Sequence, residues 1–195
     1  MNSYNFKTLH YTNDKGTDFT IGLPKNHVWV ASTENKTKAG QGFVANVPTE
    51  EIFTSPDKNS ANGIIYASKP LVLSGRVVDG IWFKVENGRI VEAHADTNED
   101  ALQAEVDTED ASHYFGEVAL VPYDSPISNQ NILYYNTLFD ENAACHIAFG
   151  ACYSKCYKNG IFMSKDELSA AGLNFSSVHD DFMVGTKDLK IVGTT

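Results

Sequence analysis

Between Gly63 and Ala95 the chain lays down β-type runs in quick succession: Ile64 to Ala67, Leu71 to Leu73, Arg76 to Val78, Ile81 to Val85 and Arg89 to Ala95. Glycines at 63, 75, 80 and 88 punctuate them, and Asp79-Gly80 and Asn87-Gly88 stand where tight hairpin turns demand positive φ. Runs this short with turn residues between them predict a meander of antiparallel strands. Upstream, the text from Leu9 to Leu23 holds two more β-type runs around Asn13-Asp14-Lys15-Gly16, a further hairpin, and Val28 to Ala31 adds a short run. Strands near Phe182 to Val184 and Leu189 to Val192 follow late in the chain.

Three segments read as helices. Thr97 to Thr108 carries apolar residues at Ala101, Leu102 and Ala104 to Val106 on an otherwise acidic background, a short amphipathic pattern. Phe139 to Ala151 is the second. Ser164 to Ala171 is the third, with Ser164 and Glu167 spaced as a capping box and Gly172 as the stop. With no internal repeat or linker, residues 1–195 read as one α+β domain, β-rich, mainly antiparallel, with about three helices. Both ends read as cut rather than finished, as in a domain excised from a longer polypeptide.

Chemistry concentrates in four places. His146 sits among small and apolar residues after the acidic run Asp140-Glu141-Asn142, and His179-Asp180-Asp181 runs straight into an apolar stretch. Glu117 lies inside Gly116-Glu117-Val118-Ala119-Leu120-Val121, and Glu50-Glu51 follow Asn46-Val47-Pro48-Thr49. Ionised carboxylates are rarely buried without a partner, because desolvation costs several kcal/mol; Glu117 therefore wants a cation. In an extended segment His179 and Asp181 share a face while Asp180 points away. Glu51, Glu117, His146, His179 and Asp181 give five oxygen and nitrogen donors, enough for two divalent ions that would activate a bridging water, with one carboxylate bridging.

Each residue also has an ordinary reading. A histidine near apolar residues is commonly a hydrogen-bonded core residue, and Glu50 and Glu51 could cap a helix with Thr49 as the capping hydroxyl. Tyr153 falls seven positions after His146. If the helix of His146 continues that far, the phenol shares its face and can donate to a developing oxyanion; otherwise it is an amphipathic core tyrosine.

Composition removes several functions. A formal charge of −10 argues against nucleic acid or an anionic membrane as partner, and favours cations. No apolar run approaches the roughly 20 residues of a membrane helix. Cys145, Cys152 and Cys156, an odd set within one short stretch, do not read as a secreted disulfide framework, which points to the cytoplasm. Cys152 and Cys156 with His146 make a poor zinc cluster, since structural zinc favours close cysteine pairs and four ligands. There is no GxSxG elbow, phosphate loop, dinucleotide fingerprint or HExxH.

Asn46 to Thr54, Gly116 to Val121, Tyr135 to Gly150 and His179 to Gly185, in that order, resemble the signature blocks of the metallo-aminopeptidase family that includes aminopeptidase T, aminopeptidase S and PepS. Tyr11 to Pro24 resembles the start of that family's catalytic half. The resemblance implies a C-terminal catalytic domain, with the family's N-terminal half absent, that removes N-terminal residues from peptides. It implies two ions of zinc, cobalt or manganese on Glu51, Glu117, His146, His179 and Asp181, assistance by Tyr153, and a homodimer. The family's ligand spacing favours Glu51 over Glu50, leaving Glu50 as a base or a contact for the substrate amine, with Glu117 the other candidate base. An inactive excised domain and a plain metal-binding module are the competing expectations.

Overall fold

A computed structural model describes residues 1–31, 35–44 and 50–195. Six antiparallel strands form one sheet in the order Arg89–His94, Trp82–Glu86, Asn62–Tyr66, Asp18–Gly22, Thr8–Thr12 and Lys190–Thr194. The hairpin turn read at Asn13 to Gly16 joins two of them, and the glycines at 63, 75, 80 and 88 all have positive φ. Five more antiparallel strands form a second sheet in the order His179–Met183, His146–Gly150, Phe115–Leu120, Ile52–Thr54 and Val30–Ala31. Leu71–Leu73 with Arg76–Val78, and Asn35–Lys36 with Gly42–Phe43, make two small ribbons.

The two sheets pack face to face. Leu9, Tyr11, Phe19, Ile21, Ile65 and Phe83 from the first meet Phe115, Val118, Ile147, Phe149 and Phe182 from the second in one apolar cluster. Aromatic rings cross the interface: Phe83 lies 4.9 Å from Phe182 and 5.9 Å from Phe149, and Phe19 lies 5.6 Å from Phe115. Burying side chains of this size supplies about 1.5–3 kcal/mol each, so the sandwich core fixes the second sheet firmly.

Helices serve as flanks. Glu99–Val106 buries Leu102 and Val106, four residues apart on one face, and Lys165–Ala170 opens on the Ser164/Glu167 capping box and ends before Gly172 at φ +99°. The expected helix from Phe139 to Ala151 is a correction. Helix covers only Thr137–Asp140, a 3₁₀ turn continues over Glu141–Ala143, and His146–Gly150 is a strand. Every residue of that strand is buried, so it shows neither the alternation of a half-exposed strand nor a helical period, and a continuous apolar run fits both.

A single irregularity decides where Glu117 goes. The Phe115–Leu120 strand pairs Phe115 with Phe149 but Glu117 with Ala148, so Gly116 is an extra residue that bulges out. Without it Phe115 and Glu117, two apart, would share a face. With it Phe115 enters the sandwich core while Glu117 turns to the opposite side. Only glycine fits there, because a Cβ on Gly116 would stand 2.0 Å from the Ala151 carbonyl oxygen.

Candidate metal centre

Alternation along the second sheet sends Ile147, Phe149, Val118 and Phe182 into the core and leaves His146, Glu117 and Asp181 on the other face. Pairing of His146–Gly150 with both neighbours sets His146 beside Ala119 and Ala148 beside Asp181, which draws the three strands' polar groups together. Glu51 arrives just before the Ile52–Thr54 strand, so the helix-cap alternative for the Glu50-Glu51 pair gives way to a strand start; Asn46 to Thr49 lie outside the described residues. Glu51 is half-buried in the cluster, whereas Glu50 is exposed and stands outside it.

The five donors read from the sequence converge. His146 Nε2 lies 3.7 Å from Glu117 Oε1, 3.8 Å from Glu51 Oε2 and 3.9 Å from Asp181 Oδ1. His179 Nε2 lies 3.8 Å from Glu117 Oε2 and 3.4 Å from Asp181 Oδ2. Most of these separations exceed a hydrogen bond. They match donors sharing a cation, since two ligands bound at about 2.0–2.2 Å to one ion stand roughly 3–4 Å apart. The donors form two groups, Glu51 with Glu117 and His146, and Glu117 with His179 and Asp181, each with its ligand atoms within 4.8 Å. Glu117 belongs to both and uses a different oxygen toward each histidine.

Neighbouring backbone prepares the imidazoles. The Ala144 carbonyl accepts from His146 Nδ1 at 3.1 Å and the Ala151 carbonyl from His179 Nδ1 at 2.8 Å. A carbonyl can only accept, so Nδ1 carries hydrogen and Nε2 faces the carboxylates, the arrangement that metal-binding histidines favour. His146 Nε2 and Asp181 Oδ1 are buried without a hydrogen-bond partner among the described residues. Leaving such atoms unsatisfied costs about 1–3 kcal/mol each, and a cation between them would satisfy both. The residues therefore fit a divalent metal.

Without a cation the site holds protons instead. Burial opposes charging His146, but the Glu117, Asp181 and Glu51 carboxylates outweigh it and hold the imidazole up at about 10. Burial likewise opposes charging His179, and Asp181 and Glu117 raise it to about 9. Glu51 is pushed up to about 7 by burial, with Glu117 and Asp181 adding to the effect and His146 opposing it. Burial also raises Glu117, while the two histidines hold Asp181 low against its own burial. A histidine whose folded pKa lies above its unfolded value near 6.5 contributes stability that is complete below about pH 6.5 and is lost as pH rises through the folded value. The raised Glu51 acts with the same sign. The thermal midpoint of the metal-free chain is thus expected to fall between pH 7 and 10 in scanning calorimetry with a chelator present; a flat or rising midpoint would contradict the assigned directions.

Tyr153 reaches the site by another route than a helix. After Gly150, at φ +97°, the chain leaves the strand, and Tyr153 precedes the 3₁₀ turn Ser154–Cys156. Its ring packs edge-on to His179 at 5.0 Å and to Phe53 at 5.8 Å. Burial, then the charges of Glu117, Asp181, Glu141 and Glu51, push the phenol above its ordinary value, so it stays a donor at neutral pH. The three cysteines are free and none joins either donor group among the described residues. Asp180 points away, as expected, toward Glu105; burial and that neighbour raise it to about 6.

Glu141 was not foreseen as a site residue. It is buried and hydrogen-bonds Asp181, helping to hold that carboxyl low, and its charge is felt by Tyr153. The adjacent Asp140 instead accepts from the Tyr134 and Asn136 amides and shapes the turn. The acidic run thus divides its labour, and only the buried histidine five residues after Glu141 hinted that this carboxyl joins the cluster.

Comparison with known proteins gives a consistent result. Aminopeptidase AmpS of Bacillus subtilis is 49% identical over 195 residues, covering 100% of this chain and 47% of that protein. Aminopeptidase PepS of Streptococcus thermophilus is 44% identical over 193 residues, 99% of this chain and 46% of its own length. The chain thus spans about half the length of these relatives. Among solved structures, wild-type AmpT from Thermus thermophilus superposes with a TM-score of 0.92 at 39% identity, over 98% of this chain and 47% of that one. A dihydroxypyridine dioxygenase from Pseudomonas putida shares the fold alone, with a TM-score of 0.65 at 15% identity over 97% of this chain and 52% of that one. The thermophilic metalloprotease (M29) family matches residues 1–195 from end to end, and the chain belongs to that family.

Proposed function

We propose that this chain is the C-terminal catalytic part of an aminopeptidase that removes N-terminal residues from peptides, using two divalent ions of zinc, cobalt or manganese. The observation that carries the reading is the sharing of Glu117 between two donor groups, Glu51 and His146 on one side and His179 and Asp181 on the other. Such ions, when bound, polarise a peptide carbonyl and lower the pKa of water toward neutrality. The chain's own groups supply the rest. Glu50 or Glu117 accepts the proton released on attack at the first carbonyl. Tyr153, protonated at neutral pH, donates to the oxyanion. Glu50, exposed beside the cluster, attracts the substrate's ammonium and confines cleavage to the first residue.

A homodimer and a cytoplasmic location belong to the same reading. Exposed Ile161 and Phe162 offer an apolar contact, and the cysteines are unpaired; sedimentation of the zinc-loaded chain by ultracentrifugation tests the dimer. The donor set by itself also supports a second reading, a domain that binds metal without turning over peptides. Zinc titration by calorimetry alongside release of an amino-acid anilide separates the two. Binding with metal-dependent release is the expected result, binding without release selects the second reading, and no binding overturns both.

A further inference from the structure

We infer that Lys155 is the receptor for the C-terminal carboxylate of very short peptides, dipeptides and tripeptides, and so selects them as substrates; this rests on the peptidase reading above. Lys155 lies in the 3₁₀ turn Ser154–Cys156, which the buried Cys156 anchors in a cluster with Phe53 and Ala119. Its ammonium stands 4.7 Å from the centre of the Phe53 ring and 5.6 Å from that of Tyr153. Phe53 follows Glu51 by two residues near the start of one strand, and the Tyr153 ring also touches His179. The cation is therefore one aromatic ring, that of Tyr153, away from His179 of the donor cluster.

A lysine beside so many carboxylates would ordinarily close an ion pair with one of them. Here, among the described residues, Lys155 makes no ion pair within 4.0 Å; the carboxylates converge on His146 and His179, and two aromatic faces hold the ammonium at the edge. An aromatic face attracts a cation without cancelling its charge. Lys155 is exposed and keeps the capacity to meet an anion entering from solvent. A small peptide is a zwitterion: its ammonium belongs with the Glu50 carboxylate, and its carboxylate lies about 3.5 Å further on per residue. Lys155 packs on the same Tyr153 ring that touches His179, which places it within the reach of a peptide of two or three residues whose first carbonyl faces the donor cluster.

The test uses a leucyl-leucine analogue whose peptide bond is reduced to CH₂–NH, which cannot be hydrolysed, and its C-terminal amide, titrated into the zinc-loaded chain by calorimetry. The carboxylate is expected to bind about fivefold more tightly than the amide, the worth of one partly solvated charge-assisted pair. Lys155→Gln should erase that preference, and Lys155→Arg, which keeps both the charge and the ring contacts, should retain it. Equal binding by the wild type, or a preference that survives Lys155→Gln, overturns the assignment. Loss of the preference in both variants also overturns it, because a positive charge at this position would then not be what holds the carboxylate. Failure of both ligands to bind the wild type counts instead against the peptidase reading, and takes this inference with it.

Discussion

Glu117→Gln is expected to weaken zinc binding more than about 100-fold and to abolish any metal-dependent release of an amino-acid anilide. Glutamine keeps the shape of the side chain and removes only its charge, so the fold should remain intact by circular dichroism. The size of the effect follows from position: Glu117 is 4% exposed and offers one oxygen to each donor group, so a single change impairs both. Residues that merely support a ligand cost 10–100-fold when lost, and a ligand common to two sites should exceed that. His146→Ala, which empties the most buried corner of the cluster, should behave alike. Calorimetric affinity within threefold of wild type for Glu117→Gln would rule out its bridging place.

Phe182→Ala should produce the largest loss of stability, about 3–5 kcal/mol for a large aromatic removed from a packed core. Phe182 is fully buried and its ring meets Phe83 at 4.9 Å and Phe115 at 6.4 Å. Asp181 precedes it on the same strand and faces the other way, so the ring is also the counterweight that aims the carboxylate. Saturating zinc should restore part of the stability by mass action, since it binds the folded state. A loss under about 1.5 kcal/mol in denaturant titration would show that the rings are not the sandwich's main contact.

Much of this was legible from residues alone, for identifiable reasons. Turn glycines and capping residues act locally, so the hairpin at Asn13 to Gly16, the strands from Asn62 to His94 and the Ser164 cap could be read with boundaries shifted by a residue or two. The donors were legible because charge inside an apolar run is costly, and the geometry brings all five together. What failed were features set by tertiary contact. The His146–Gly150 strand is covered on both faces and lost its signature alternation. Tyr153 reaches the cluster through the chain's departure after Gly150, where a Cβ would stand 2.1 Å from the Val178 carbonyl oxygen, rather than through a helical repeat. Glu141 looked like part of a turn because its neighbour Asp140 is one.

The extra residue at Gly116 has an implication for how such a centre can arise or be lost. A bulge takes one residue out of the alternation, so an insertion at 116 is tolerated without reorienting either neighbour, provided the inserted residue is one that the Ala151 carbonyl leaves room for. Deleting Gly116 would leave Phe115 and Glu117 as consecutive residues that still point to opposite faces, whereas a strand straightened with all its residues kept would turn both to one face.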